Sequence, residues 1–203
     1  PIQKIAIGYG ATDVIQRTIF SLNIKKLYIV APAFMMIDVY CKMIGLNYDF
    51  INIEEAKNKV SDNSAAVYIA NPNGKDGGVY DLSALIGKFK YLIIDEVYAD
   101  FFNKFSLLNK LNEDLIIIKS LSKSLGIAGL RVGFCYSSEK IINEIQKIRM
   151  SQITTSIASF VVPEVINMTN EVIERMKITK KFLEQNYKCK ASYANYVLFK
   201  KEN

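Results

Sequence analysis

Between Ser120 and Phe134 the chain reads SLSKSLGIAGLRVGF, which sets a potential nucleophile inside a potential anion site. Arg131 offers a planar fork of donors to a phosphate, and the hydroxyls of Ser120 and Ser122, two residues apart, aim the same way on an extended backbone. Gly126, Gly129 and Gly133 let the chain bend and approach a ligand closely. A lysine held beside a phosphate on an apolar background has a reason to shed its proton, which makes the amine of Lys123 a candidate Schiff-base nucleophile. Any one of these residues is ordinary in a solvated loop before a glycine-rich turn. The unit S-x-S-K-x-x-G-x-x-G-x-R-x-G is not.

Four other stretches could contribute chemistry. Gly8-Tyr9-Gly10-Ala11-Thr12-Asp13 precedes a periodic segment, so glycine freedom followed by Thr or Asp as an N-cap would leave helix amides free to cup a phosphate. Phe34 follows Pro32, where a ring can stack on a flat heterocycle or simply pack. Asn71-Pro72-Asn73-Gly74 is a run of turn formers with side-chain amides available. Asp95-Glu96-Val97-Tyr98 ends an apolar run; a carboxylate there costs energy unless paired, and a protonated pyridine nitrogen would pair it. An apolar strand ending in Asp-Glu also fits a Walker B strand of a nucleotide hydrolase, but G-x-x-x-x-G-K-[ST] does not occur in the chain.

The elements that must position these groups are short β-branched runs alternating with helical periodicity. The runs are Lys4 to Gly8, Leu27 to Val30, Ala66 to Ala70, Tyr91 to Asp95, Leu115 to Lys119 and Arg131 to Tyr136. Such alternation predicts an α/β fold with a mostly parallel sheet covered on both faces, whose ligands bind at the carboxyl ends of strands. Ser138 to Met150 and Ser151 to Tyr187 read as helical, with a break at Pro163.

Together these motifs resemble the active-site signature of the fold-type I pyridoxal 5′-phosphate (PLP) enzymes, above all the histidinol-phosphate aminotransferase group and its decarboxylase relatives. The resemblance implies a Schiff base on Lys123, the cofactor phosphate on Ser120, Ser122, Arg131 and the amides of Gly10, Ala11 and Thr12, and Phe34 stacked on the ring. It implies Asp95 on the ring nitrogen, where holding the proton makes the ring an electron sink, and Asn71 and Tyr98 on the phenolic oxygen. The pattern departs at Lys75-Asp76-Gly77-Gly78, where the family has Pro-Thr-Gly, so the substrate end of that loop does not follow the family.

The implied fold is the three-layer α/β/α large domain of the aspartate aminotransferase type with the start of a small α+β domain. Residues 1–150 would form the PLP-binding domain, 151–187 a linking helical segment, and 188–203 the beginning of the small domain, with Cys189 to Lys200 as its first strand. The implied activity is transamination between a small amino donor, phosphorylated compounds included, and an oxo-acid acceptor, in a cytoplasmic homodimer. Decarboxylation of a phosphorylated amino acid and a non-catalytic remnant of the fold are the alternatives. The family's N-terminal arm and its carboxylate-gripping arginine have no counterpart here, so the chain is expected to hold the cofactor's machinery without a complete substrate site.

Bulk properties narrow the field independently. The chain has no histidine among its 203 residues, which removes Ser-His-Asp and Cys-His chemistry and His-ligated metals together. Cys41, Cys135 and Cys189 form no C-x-x-C pair, so neither a disulfide framework nor a zinc site is expected. The net charge of +6 comes from lysines scattered along the chain without interleaved aromatics, a solvated surface rather than a nucleic-acid face. No apolar run approaches the ~20 residues of a membrane helix.

Overall fold

The computed structural model describes residues 2–110 and 112–199. Seven strands form one sheet: β1 (Ile5–Tyr9), β2 (Lys26–Val30), β3 (Asn47–Ile51), β4 (Asp62–Ala70), β5 (Phe89–Asp95), β6 (Leu115–Ser120) and β7 (Val132–Tyr136), in the order β1-β7-β6-β5-β4-β2-β3. Neighbouring strands run parallel except at β7, which is antiparallel to both β6 and β1. β3 was not among the expected strands; its sequence, NYDFI, is half polar and its residues other than Ile51 are at least partly exposed at the sheet edge, so it lacks the continuous apolar run of a central strand.

Why the central strands read as unbroken apolar runs is clear from the packing. Ala66, Tyr68, Ile93, Ile116 and Ile118 pack on one face with Ile15 and Ile19 of α1 (Gly10–Ser21), Ile37 of α2 (Ile37–Met43) and Ile142 of α5 (Glu139–Lys147). Val67, Ile69, Leu92, Ile94 and Ile117 pack on the other with Ala56 of α3 (Ile53–Asn58), Leu82, Leu85 and Leu107. Each buried Val, Leu or Ile among them contributes about 1.5–3 kcal/mol relative to exposure, so the two covered faces anchor the strands whose ends carry the site.

Downstream, α6 (Ser156–Val165) and α7 (Thr169–Asn186) are joined by a 3₁₀ turn at Ile166–Met168. The expected break at Pro163 falls instead after Val165: Pro163 sits inside α6, where it removes one amide, and the chain tightens into the turn three residues later. The expected small-domain strand is a hairpin of β8 (Cys189–Lys190) and β9 (Leu198–Phe199) around a turn; Lys200 lies outside the described residues. Among the described residues no helix is long and apolar enough to cross a membrane.

Candidate active site

The parallel strands β2, β4, β5 and β6 all end at one edge of the sheet, and because β7 runs the other way its first residues arrive at that same edge. The register sets Gly133 opposite both Gly8 and Ser120, which brings Arg131 beside the start of α1 and the end of β6. A Cβ on Gly133 would lie 2.3 Å from the Ala11 amide nitrogen, so only glycine lets α1 rest its first turn on β7. Gly10 has a φ of +79°, which favours glycine, and a Cβ there would displace the end of the Arg131 side chain.

A cavity of about 280 Å³ opens at this edge, lined by Ala11, Thr12, Phe34, Asp95, Tyr98, Ser120, Ser122, Lys123 and Arg131. Of the residues expected from sequence, the cavity lining omits Gly10, which backs Arg131, and Asn71. Asn71 is buried, and its amide clamps the chain: Nδ2 donates one hydrogen to the Tyr80 carbonyl at 2.9 Å and Oδ1 accepts from the Tyr80 amide at 2.9 Å. Asn73 lines the cavity in its stead, donating through Nδ2 to the Pro32 carbonyl and accepting from the Lys75 amide, which ties the loop after β4 to the loop after β2. The repeated Asn two residues on was the available signal for it.

The anion wall combines three kinds of donor. Helix α1 begins at Gly10 with Tyr9 as its N-cap residue, rather than Thr12 or Asp13, and no side chain caps its first-turn amides. Asp13 accepts instead from the Tyr9 amide at 2.9 Å and pairs with the buried Arg17 at 2.9 Å. The positive end of the helix dipole is therefore left open beside the cavity. Arg131 sits at φ 55°, with Nη1 donating to the Ala128 carbonyl at 3.1 Å and no carboxylate paired with it among the described residues. The two serines differ. Ser120 is extended and caps the short helix α4 (Leu121–Ser124), its hydroxyl donating to the Val132 carbonyl at 3.0 Å, whereas Ser122 already lies in the helix. Their oxygens come within 2.9 Å through the capping turn, not through extended backbone at both residues, and the Ser122 hydroxyl is the better placed donor.

Opposite this wall, Asp95 ends β5 with 9% of its surface exposed. Its Oδ2 accepts from the Tyr68 hydroxyl at 2.8 Å and its Oδ1 from the Val97 amide at 3.1 Å. Burial pushes the carboxyl above the ordinary carboxylate range, with the Tyr68 and Val97 donors pulling the other way, and no cation pairs with it among the described residues. The neighbouring Glu96 turns away and is satisfied by Ser106, the Leu107 amide and Lys119. Lys123 is half-buried in α4, its Nζ 5.6 Å from the centre of the Tyr98 ring. A ligand suited to this donor set carries a phosphate at one end, a flat ring, and a cationic nitrogen for Asp95.

Residues 2–190 match the model of the aminotransferase class I and II family. A histidinol-phosphate aminotransferase of Buchnera aphidicola subsp. Cinara cedri is 30% identical over 98% of this chain and 65% of its own length. The fold superimposes on aspartate aminotransferase from Thermotoga maritima with a TM-score of 0.79 at 20% identity, covering 98% of this chain and 61% of that one. It superimposes on L-threonine-O-3-phosphate decarboxylase from Porphyromonas gingivalis with a TM-score of 0.77 at 14% identity, covering 96% and 65%. At those identities the two structures establish the fold alone. The chain spans less than two thirds of the length of these relatives, and with its sheet, its cavity and the family match together it belongs to the class I and II aminotransferases.

Proposed function

We propose that this chain holds PLP at the carboxyl edge of its sheet and forms the cofactor-binding part of an aminotransferase that acts on small amino compounds, phosphorylated ones included. The observation that carries this reading is the convergence on one cavity of an anion wall, a buried carboxylate and a lysine, the last two without an ion-pair partner among the described residues. The family is PLP-dependent. The residues fit the cofactor by chemistry: Arg131, the Ser122 hydroxyl and the open amides of Ala11 and Thr12 suit its phosphate, Phe34 its ring face, and Asp95 its ring nitrogen. When bound, PLP supplies an electron sink for bonds broken at the substrate's amine-bearing carbon.

The chain's own residues set up that chemistry. Asp95, held by two donors, would pair with the ring nitrogen and favour its protonated form. Tyr98 faces the cavity within reach of Lys123 and suits the phenolic oxygen. Lys123 Nζ would be the amine that holds the cofactor and, once freed, the general base that moves a proton at the substrate's amine-bearing carbon. Asn73 lines the cavity and Asn71 lies behind it, each with its amide bonded to a neighbouring stretch of main chain.

The same reading divides the chain into a cofactor domain up to residue 150, linking helices to residue 187, and the start of a small domain. It takes the whole enzyme to be cytoplasmic and homodimeric; for the dimer, Ile157 and Phe160, 65% and 79% exposed on α6, offer uncovered apolar surface. The test is reconstitution with PLP, borohydride reduction and peptide mapping, which should put the pyridoxyl group on Lys123. Label elsewhere, or none, would sink the assignment. Assaying released carbon dioxide alongside oxo-acid formation separates transamination from decarboxylation.

A further inference from the structure

The core of the sheet contains one hydroxyl whose position packing alone does not explain. Tyr68 is fully buried in β4, between the sheet and the helices of the α1 face. A phenylalanine would fill the same apolar space without bringing a polar group that must be satisfied there. Among the described residues the Tyr68 hydroxyl makes one hydrogen bond, donating to Asp95 Oδ2 at 2.8 Å. The register explains how it arrives: Tyr68 lies opposite Ile93 and Ala70 opposite Asp95, so Tyr68 is the diagonal neighbour of Asp95 on the same sheet face.

We propose that Tyr68 is a positioning residue for the ring-binding carboxylate: its hydroxyl orients Asp95 toward the cavity and favours the charged form, so that it governs how tightly the cofactor's ring is held. This rests on the reading of the cavity as a PLP site. The other titratable or charged groups at the cavity are Lys75 on the loop after β4, Tyr98 beyond β5, Lys123 in α4 and Arg131 before β7. Among the described residues none of them forms a hydrogen bond or ion pair with Asp95, so the carboxylate depends on Tyr68 and the Val97 amide. A carboxylate oxygen has about two lone pairs, and with one spent on each internal donor a lone pair remains for a donor from the cavity. Burial disfavours the charged carboxylate, and the hydroxyl is the larger of the two influences that offset it. The Tyr68 phenol is itself held protonated by burial and by the adjacent Asp95, which keeps it a donor throughout the working range.

The experiment compares the parent chain with Tyr68→Phe, which keeps the volume, and with 3-fluorotyrosine at the same position, which keeps the fold and donates more strongly. In the cofactor-free proteins, carboxyl-carbon NMR of labelled aspartate should show the Asp95 midpoint rise in Tyr68→Phe and fall with 3-fluorotyrosine. PLP titration should show an affinity loss of about tenfold or more in Tyr68→Phe, the scale of one hydrogen bond to a charged group. In an Asp95→Asn background the same substitution should change the affinity less than about twofold, because the charge it serves is gone. An unmoved Asp95 midpoint, or an equal affinity loss with and without the Asp95 charge, would show a packing role and overturn the inference. Failure of the parent chain to bind PLP would overturn the reading of the site and this inference with it; binding by the parent with unchanged behaviour in both variants would overturn the inference alone.

Discussion

The two long walls of the cavity are built on opposite plans. On the wall made by the start of α1, Ser122 and Arg131, the helix amides are uncapped and the guanidinium has no carboxylate partner. On the wall made by the loop after β4, nearly every polar side chain is already spent: Asn71 clamps the Tyr80 main chain, Asn73 bridges to Pro32 and Lys75, and Asp76 accepts from the Gly78 amide. Polar groups satisfied inside the chain hold a shape; groups left open hold a ligand. The contrast also separates residues of one motif, since Asp95 faces the cavity without a cation while Glu96 beside it is consumed by Ser106, Leu107 and Lys119.

Substitutions on the two walls should therefore fail differently. The largest effect is expected at Lys123: Lys123→Ala should abolish the borohydride-trapped pyridoxyl group altogether while leaving reversible PLP binding measurable by dialysis. Next, Arg131→Ala should weaken PLP binding by about ten- to a hundredfold, the scale of a lost charge-assisted bond, with little change in urea unfolding. Asn71→Ala should do the reverse. It strands the amide and carbonyl of Tyr80, so unfolding free energy should drop by about 1–3 kcal/mol while PLP affinity changes less than about threefold. If Asn71→Ala instead abolished PLP binding with stability intact, the division between the walls would be wrong.

The smallest expected effect is on the pH dependence of stability. Burial raises the Asp95 carboxyl above its ordinary range, so the folded chain binds this proton more tightly than the unfolded chain. The contribution to stability is full below the ordinary carboxylate value and declines as pH rises from there to the raised one. Thermal unfolding of the cofactor-free chain across the acidic range should show that decline, and Asp95→Asn should flatten it. Several carboxylates near the surface are shifted the other way by hydrogen bonds, the half-buried Asp62 and the exposed Asp81 among them, so the difference curve between parent and variant is the measurement. A difference curve without slope would mean that Asp95 ionises as freely in the fold as outside it.

The site residues were legible in sequence because covalent neighbours carry most of them. Ser120, Ser122, Lys123 and Arg131 lie in one segment, and each strand-end motif follows an apolar run whose burial forces it to the same edge. By itself, then, the sequence determined six of the seven strands and the predominantly parallel character of the sheet, and it singled out Lys123, Arg131 and Asp95 as candidates that the fold brings to one cavity. Tertiary structure alone decided how those groups are shared between ligand and fold. The Ser120 hydroxyl is shared between Ser122 and the Val132 carbonyl across the β6–β7 register, Asn71 is claimed by a main chain nine positions away, and Tyr68 reaches Asp95 from a neighbouring strand. The physical reason is that a polar side chain has few hydrogen-bonding positions and takes whichever partner the packed strands bring within about 3 Å, a distance set by register rather than by sequence spacing.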